Sequence, residues 1–116
     1  MGGYPDFRPV YESCGYEVMV ETRMRKAIAR LKRETPEVIV AEFNFQSDFR
    51  DRTSSLESLL AVVQRLPDTR VIIFYDEEFA SQFEKVRARL PVYHAFRFPV
   101  AAQQLREVLE IVRRGG

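Results

Sequence analysis

Three acidic residues stand where the sequence could support cation chemistry. Glu42 lies near the end of the apolar run Val38 to Phe45, and Asp76 and Glu77 directly follow a second run, Arg70 to Tyr75. Carboxylate oxygens are ligands that Mg²⁺ prefers, and residues at the carboxyl ends of parallel strands meet at one edge of a sheet. These three residues are therefore the candidates for gathering a cation. The alternative for Glu42 is a solvated or hydrogen-bonded carboxylate at the open end of the sheet.

The sequence offers little for other catalytic chemistry. A nucleophile–base pair would need the single histidine, His94, together with the single cysteine, Cys14. Cys14 falls on the apolar stripe of a predicted helix, where a cysteine is typical of core packing, and neither residue has the spacing of a zinc site. No glycine has the spacing of a phosphate-binding loop; the glycines are Gly2, Gly3, Gly15, Gly115 and Gly116. We therefore predict no enzyme activity, no metal centre and no cofactor.

The charge of the chain is nearly balanced. Eighteen Lys and Arg against 17 Asp and Glu give a formal net charge of +1, so no overall field attracts nucleic acid or anionic lipid. The main local concentration of positive charge is a predicted helix with Arg23, Arg25, Lys26, Arg30, Lys32 and Arg33. These residues have no aromatic residues among them, which favours a solvated face over a nucleic-acid contact. An acidic protein partner is the remaining alternative.

The sequence contains no segment typical of a membrane or secreted protein. No run approaches the roughly 20 apolar residues of a transmembrane helix, and the first residues lack a basic region followed by an apolar stretch. The single cysteine excludes an internal disulfide and fits a reducing compartment. We therefore expect a cytoplasmic protein.

Helical and strand patterns alternate along the chain. Helical spacing, capping residues and prolines predict helices over residues 7–14, 23–34, 54–66, 77–90 and 101–114. Alternating or continuous apolar runs predict strands over residues 16–21, 38–45, 70–75 and 92–98. This order predicts an α/β fold, a three-layer sandwich in which helices cover both faces of a mainly parallel sheet. We expect residues 1–116 to form a single domain.

Several segments resemble the receiver domains of bacterial response regulators. Pro36 to Asn44 is similar to their third strand, in which a Pro–acid pair precedes an apolar run that ends in the phosphoacceptor Asp, and Glu42 stands at that position. Gly15 to Val18 is similar to the entry of the second strand. Ala95 to Val100 is similar to the fifth strand, with Pro99 as its cis proline. The resemblance runs through most of the sequence and implies the flavodoxin-like receiver topology.

The positions that a receiver uses for phosphorylation differ in this chain. By the resemblance, Phe98 takes the place of the family's lysine, Tyr75 that of the switch Thr or Ser, and Ala95 that of the switch aromatic residue. The acidic residues that hold Mg²⁺ at the end of the first strand have no counterpart. Phosphoryl transfer depends on positioning and on neutralisation of charge by the metal and the lysine. The resemblance therefore implies a degenerate receiver, a pseudo-receiver that is not phosphorylated.

A pseudo-receiver of this kind is expected to act through binding another protein in signal transduction. Aromatic residues gather near the predicted carboxyl ends of the strands, and Phe43, Phe45, Phe49 and Phe96 are the candidates for an exposed interaction surface. The alternative is that they fill the pocket of a lost site. Glu42 has a second interpretation, as an imitation of a phosphorylated Asp. The runner-up function is an atypical receiver that still binds a cation or a small ligand near Glu42 and responds to it.

The receiver sheet has the strand order 2-1-3-4-5, and the sequence contains no candidate for the first strand. The predicted strand Tyr16 to Glu21 then lacks a neighbour. It could pair directly with Val38 to Phe43, another chain could supply or share an edge, or the sequence could begin downstream of the natural start. Sharing of strands between subunits would make an obligate dimer. Because receivers also often pair with each other, we expect a homodimer.

Overall fold

The described part of the chain consists of helices and a parallel β-sheet. The structure, a computed structural model, describes residues 7–20, 24–43, 59, 61–88 and 92–115. The elements are α1 (Arg8–Ser13), α2 (Met24–Leu31), β1 (Val38–Phe43), β2 (Arg70–Tyr75), a 3₁₀ turn (Glu77–Phe79), α3 (Ala80–Arg87), β3 (His94–Arg97) and α4 (Ala102–Arg113). Residues 59 and 61–63 are also helical. Two compact units contain these elements, residues 21–99 and residues 1–20 with 100–116.

The sheet lies in the unit formed by residues 21–99. Its described strands have the order β1-β2-β3 and are all parallel. Val40 lies opposite Ile72, and Ile72 lies opposite His94. The four residues Val71 to Phe74 of the central strand are all buried. A continuous apolar run is typical of a strand that is covered on both faces.

Helices pack on one face of this sheet. Residues with relative exposures of 8% or less form the cluster: Leu31, Leu59, Val63, Val71, Ile73 and Phe83. Ile28 of α2 and Ile39, Ala41 and Ala95 of the edge strands are half-buried against it. Each of these helices thus contributes an apolar stripe, while its other faces remain exposed.

The amino ends of β1 and β2 are tied together by two hydrogen bonds. The backbone N–H of Arg70 donates to the carbonyl oxygen of Glu37 over 2.9 Å. The hydroxyl of Thr69, a buried residue, donates to the carbonyl oxygen of Pro36 over 2.7 Å. Pro36 has no N–H to donate. Its carbonyl group therefore makes the contact with β2 at this point, through Thr69.

The second unit contains α1 and α4. Val10 of α1 and Leu105 and Leu109 of α4 are buried. A guanidinium nitrogen of Arg106 donates to the hydroxyl oxygen of Ser13 over 2.7 Å. The hydroxyl of Tyr16 donates to the carbonyl oxygen of Leu109 over 3.3 Å. The turn after α1 is therefore attached to α4 at two points.

Gly15 makes that turn in a left-handed conformation. Its φ is +94°, a region that side-chain-bearing residues rarely adopt. A Cβ atom at this position would lie 3.1 Å from a guanidinium nitrogen of Arg113. The same guanidinium group lies over the ring of Tyr16, 5.2 Å from its centroid. Glycine therefore leaves room for Arg113 to cover the ring.

The structure confirms the α/β fold and the parallel sheet, and it corrects one strand. The predicted strand Tyr16 to Glu21 is wrong for residues 16–20, which form neither a strand nor a ladder with β1 in the described part of the chain; Glu21 lies outside it. Tyr16 instead donates its backbone N–H to the carbonyl oxygen of Tyr11. Met19 and Val20 are 56% and 62% exposed. Alternation alone therefore did not produce a strand, since residues 16–20 pair with no strand in the described part of the chain.

The other boundaries shift by a few residues. Helix α2 ends at Leu31 and not near Glu34, and β3 is limited to His94–Arg97. The helix predicted after Asp76 begins with a 3₁₀ turn, in which the Asp76 carboxylate accepts from the N–H of Glu78 over 3.0 Å. Of the predicted helix over residues 54–66, the described residues 59 and 61–63 are helical, whereas residues 64–66 are not. Phe45 at the end of the predicted strand 38–45 lies outside the described residues.

Candidate functional site at the carboxyl end of the sheet

The carboxyl ends of the three strands meet at one edge of the sheet. The last residue of β1, Phe43, lies opposite Tyr75 of β2, and Tyr75 lies opposite Arg97 of β3. Glu42 is opposite Phe74 in the register. The sheet therefore places the backbone of Glu42, the phosphoacceptor position implied by the resemblance, beside the end of the central strand. The side chain of Glu42 lies outside the described part of the structure.

Tyr75 is fixed by an aromatic neighbour. Its ring stacks on that of Phe83 in α3, with a centroid separation of 4.8 Å and an angle of 22° between the planes. Phe83 is fully buried in the core cluster, and Tyr75 is half-buried against it. Ala95, opposite Ile73 in the ladder, is half-buried against the same cluster. A large ring at position 75 and a small side chain at position 95 thus pack together against one core.

Phe98 belongs to a second aromatic group. Its ring meets the ring of Phe74 edge to face, with centroids 5.8 Å apart, and Phe74 meets Phe96 in the same manner at 6.0 Å. The N–H of Phe98 donates to the carbonyl oxygen of Tyr75 over 2.9 Å, which extends the ladder past β3. The bond from Phe98 to Pro99 is cis, so that prediction is confirmed. An apolar ring, and not an ammonium group, therefore lies beside the end of the central strand.

The two acidic residues after β2 already have polar partners. Asp76 accepts the hydrogen bond that caps the 3₁₀ turn. The carboxylate of Glu77 lies 3.2 Å from the guanidinium group of Arg97, although both side chains are more than half exposed. An exposed ion pair of this kind contributes little to stability. Within the described residues no three Asp, Glu, His or Cys side chains are grouped as metal ligands would be.

His94 lies in β3 and is half-buried. Its ring is 4.6 Å from that of Phe96. Partial burial, and then the positive charge of Arg87, hold the pKa of His94 below its usual range. The imidazole is therefore predominantly neutral near pH 7. Cys14 lies in the turn that ends α1 and is partly buried.

The predicted interaction surface is wrong for one of its four residues. Phe96 is only 8% exposed; it lies opposite Phe74 in the ladder, and the two rings meet edge to face. The side chains of Phe43, Phe45 and Phe49 lie outside the described part of the structure. Their participation in a surface therefore stays a prediction.

Two features of the site could not be read from local patterns. The stack of Tyr75 on Phe83 joins a strand to the following helix, and the pair of Arg97 with Glu77 joins the ends of two strands. Both arise from the register of the sheet, which the spacing of residues along the chain does not fix. The burial of Phe96 also depends on the register, which places it opposite Phe74.

The basic helix remains largely exposed. Arg25, Lys26, Lys32 and Arg33 are exposed, while the partly covered Arg30 lies 3.4 Å from the carboxylate of Glu34. No helix in the described ranges is long and apolar enough to cross a membrane.

Comparisons with known proteins identify the architecture. No family model and no curated protein sequence matches the chain. A response regulator receiver domain protein from Clostridium thermocellum is 14% identical, with a TM-score of 0.71 over 93% of this chain and 82% of that one. The chain has a receiver-like fold.

Two further solved structures share this receiver-like fold. A response regulator from Thermotoga maritima is 14% identical, with a TM-score of 0.66 over 91% of this chain and 83% of that one. The signal receiver domain of a protein named as a Luxo repressor, from Vibrio parahaemolyticus, is 17% identical, with a TM-score of 0.67 over 93% of this chain and 79% of that one. The likeness that the sequence motifs predicted is therefore confirmed at the level of the fold.

Proposed function

We propose that the chain is a single, non-catalytic pseudo-receiver domain of the cytoplasm that acts in signalling by binding another protein. The observation that carries this proposal is the edge-to-face contact between Phe98 and Phe74 at the end of the central strand. By the resemblance, a receiver has a lysine at the position of Phe98. A phenyl ring cannot neutralise the charge that develops on a transferring phosphoryl group. An acceptor at position 42 would therefore lack one of the groups that make phosphorylation fast.

The switch positions support the same proposal. By the resemblance, a receiver has a small hydroxyl side chain, Thr or Ser, at the position of Tyr75. That side chain moves inward with the phosphoryl oxygen. Tyr75 here stacks on the fully buried Phe83, so movement toward residue 42 would break an aromatic contact within the core. We infer that this packing holds the domain in one state without a phosphorylation cycle.

The first test uses Mg²⁺ with a beryllium fluoride complex, which imitates a phosphoryl group. We expect the amide spectrum of the isotope-labelled protein to stay unchanged on addition, including the signals of residues 40–43 and 74–77. Mg²⁺ alone is the matched control. Shifts confined to the neighbourhood of Glu42 with Mg²⁺ alone would favour the alternative, a receiver that binds a cation. Shifts that need both components would contradict the pseudo-receiver proposal.

The second test restores the missing ammonium group. The variant Phe98→Lys, treated with a small-molecule phosphodonor and Mg²⁺, should gain no phosphoryl group by intact mass, because the resemblance places further metal-binding acids on a strand that this sequence does not match. The variant Phe98→Leu controls for the loss of the ring. A phosphorylated Phe98→Lys protein would show that the lysine position alone had blocked the reaction, and would overturn the proposed inactivity.

We further infer that the protein forms a homodimer and that its other partner is a protein, not a nucleic acid or a membrane. The balanced net charge and the pairing of Arg30 with Glu34 support a solvated basic helix. Light scattering with size-exclusion chromatography tests self-association directly. A monomeric mass at high protein concentration would exclude the homodimer and leave the pseudo-receiver proposal untouched.

A further inference from the structure

The outer edge of β1 carries backbone groups that point away from the sheet. The carbonyl oxygen of Glu37 accepts from Arg70 of β2, so odd-numbered residues of this segment face β2. Because the direction of the backbone groups alternates along a strand, those of Val38, Val40 and Glu42 face outward. Within the described ranges no backbone hydrogen bond is formed by these outward groups.

Over Val38 to Ala41 this edge lacks the features by which proteins protect an open strand, and the one charged residue of β1, Glu42, lies near its end. The segment Val38 to Ala41 contains no proline, no lysine and no other charged residue, and its register with β2 advances one residue at a time, without a bulge. All four of these residues are half-buried. Open edges of this kind pair readily with another strand. We propose that a second copy of the chain occupies the edge, so that two β1 strands pair antiparallel across a two-fold axis.

The spacing of the outward groups selects one register for this pair. If the two-fold axis passes beside Val40, each copy of Val40 exchanges both backbone hydrogen bonds with the partner's Val40. The outward groups of Val38 then meet those of the partner's Glu42, and the reverse holds at the other end. A shift of the axis by one residue in either direction would place an outward-facing residue of β1 opposite a residue that lies outside β1. The Val40-centred register therefore satisfies every outward group of β1.

The same register also preserves the two cores. A two-fold axis perpendicular to the sheet keeps corresponding faces on the same side. Ile39 then lies opposite the partner's Ala41, and both belong to the face that packs against the cluster of Leu31, Ile73 and Phe83. The combined sheet would have the order β3-β2-β1 followed by the same strands in reverse. Pairing thus continues an existing core face and exposes no new one.

This inference rests on the proposed homodimer, and not on the proposed absence of phosphorylation. The decisive experiment is disulfide cross-linking in a background in which Cys14 is replaced, Cys14→Ser. Directly opposed residues of a hydrogen-bonded antiparallel pair have Cα atoms about 5.5 Å apart, which a disulfide can span. Val40→Cys should therefore form a covalent dimer under mild oxidation. Val38→Cys, whose opposed residue is the partner's Glu42, is the matched control and should form at least tenfold less.

A second variant tests the backbone contact itself. Val40→Pro removes an outward N–H and leaves the ladder with β2 intact, since proline is tolerated on an edge strand when its N–H position faces solvent. We expect the mass in solution to change from dimer to monomer while the far-ultraviolet circular dichroism keeps its shape. If this variant unfolds, the two cysteine variants still decide the question.

The outcomes distinguish the proposed β1 interface from the proposed homodimer on which it rests. A dimeric protein in which Val38→Cys cross-links as well as Val40→Cys, or in which a folded Val40→Pro variant stays dimeric, overturns the β1 interface and leaves self-association standing. A monomeric parent protein without a Val40→Cys cross-link overturns both. Selective cross-linking at position 40 supports the interface, whatever the phosphoryl mimic does at Glu42.

Discussion

Strands β1 and β2 have the same length and similar apolar sequences, yet they differ in burial. Residues 71–74 of β2 are at most 4% exposed, whereas residues 38–41 of β1 are only half-buried. The difference follows from position, because β2 has a neighbour on each side and β1 has a described neighbour on one side only. Apolar sequence therefore identifies a strand, while its place in the sheet decides how much stability each side chain contributes.

The largest expected effect compares the same substitution on both strands. Ile73→Ala removes a fully buried side chain from the core cluster and should lower the free energy of unfolding by about 2–5 kcal/mol. Ile39→Ala removes an identical side chain that is half-buried against the same cluster, and should cost less than half as much. Chemical denaturation of both variants at low protein concentration measures the two values. Equal losses would break the distinction between the central and the edge strand.

The next effect concerns the bond that ties the two strands at their amino ends. Thr69→Val removes the hydroxyl that donates to Pro36 and leaves a partly buried carbonyl without this donor, so the free energy of unfolding should fall by about 1–3 kcal/mol. Thr69→Ser keeps the hydroxyl and is the matched control, with a smaller loss. If Thr69→Val and Thr69→Ser are equally stable, the hydrogen bond does not contribute to holding the amino ends of β1 and β2 together.

The smallest effect concerns His94 in the other edge strand. The pKa of His94 is lower in the folded protein than the ordinary value of 6.5, so the unfolded chain takes up the proton first as the pH falls. The stability gained from neutral His94 is therefore complete above about pH 7.5. It decreases as the pH passes down through 6.5 toward the lower pKa of the folded state.

Two variants test that pH dependence. His94→Asn should flatten this part of the stability profile, as measured by urea midpoints at several pH values. Arg87→Gln removes the charge that helps to lower the pKa, and should reduce the slope without abolishing it, because burial is the larger cause. An unchanged slope in His94→Asn would assign the titration to another group.

The sequence was most informative where a single element decides the outcome. The run Val71 to Phe74 predicted both a strand and its burial, because it is apolar at every position. Residues 16–20 alternate as a strand should, yet they form no strand and pair with none of the described strands. The burial of Phe96 likewise depends on which neighbours the register brings to its face. Pairing between distant segments is the information that local spacing lacks.

The candidate site also combines features that the sequence predicted with features that depend on tertiary packing. The cis bond before Pro99 followed from the likeness to receiver domains, and the carboxyl ends of the strands do meet at one edge. The contact of Phe98 with Phe74 and the stack of Tyr75 on Phe83 needed coordinates, since each joins side chains from separate elements. Local sequence thus indicated which residues lie at the candidate site, and tertiary packing determined which side chains contact each other there.

Two glycines in the described part of the chain have a left-handed conformation, and they differ in which residues could replace them. Gly15 and Gly115 have φ values of +94° and +87°, but only Gly15 has atoms within 4 Å of the position that a Cβ would take. Asparagine or aspartate, which tolerate positive φ better than other residues, are therefore conceivable replacements at Gly115. At Gly15 the same replacements would also push Arg113 away from Tyr16. Among distant relatives that keep α1 and α4, we expect glycine to be retained at position 15 more often than at position 115.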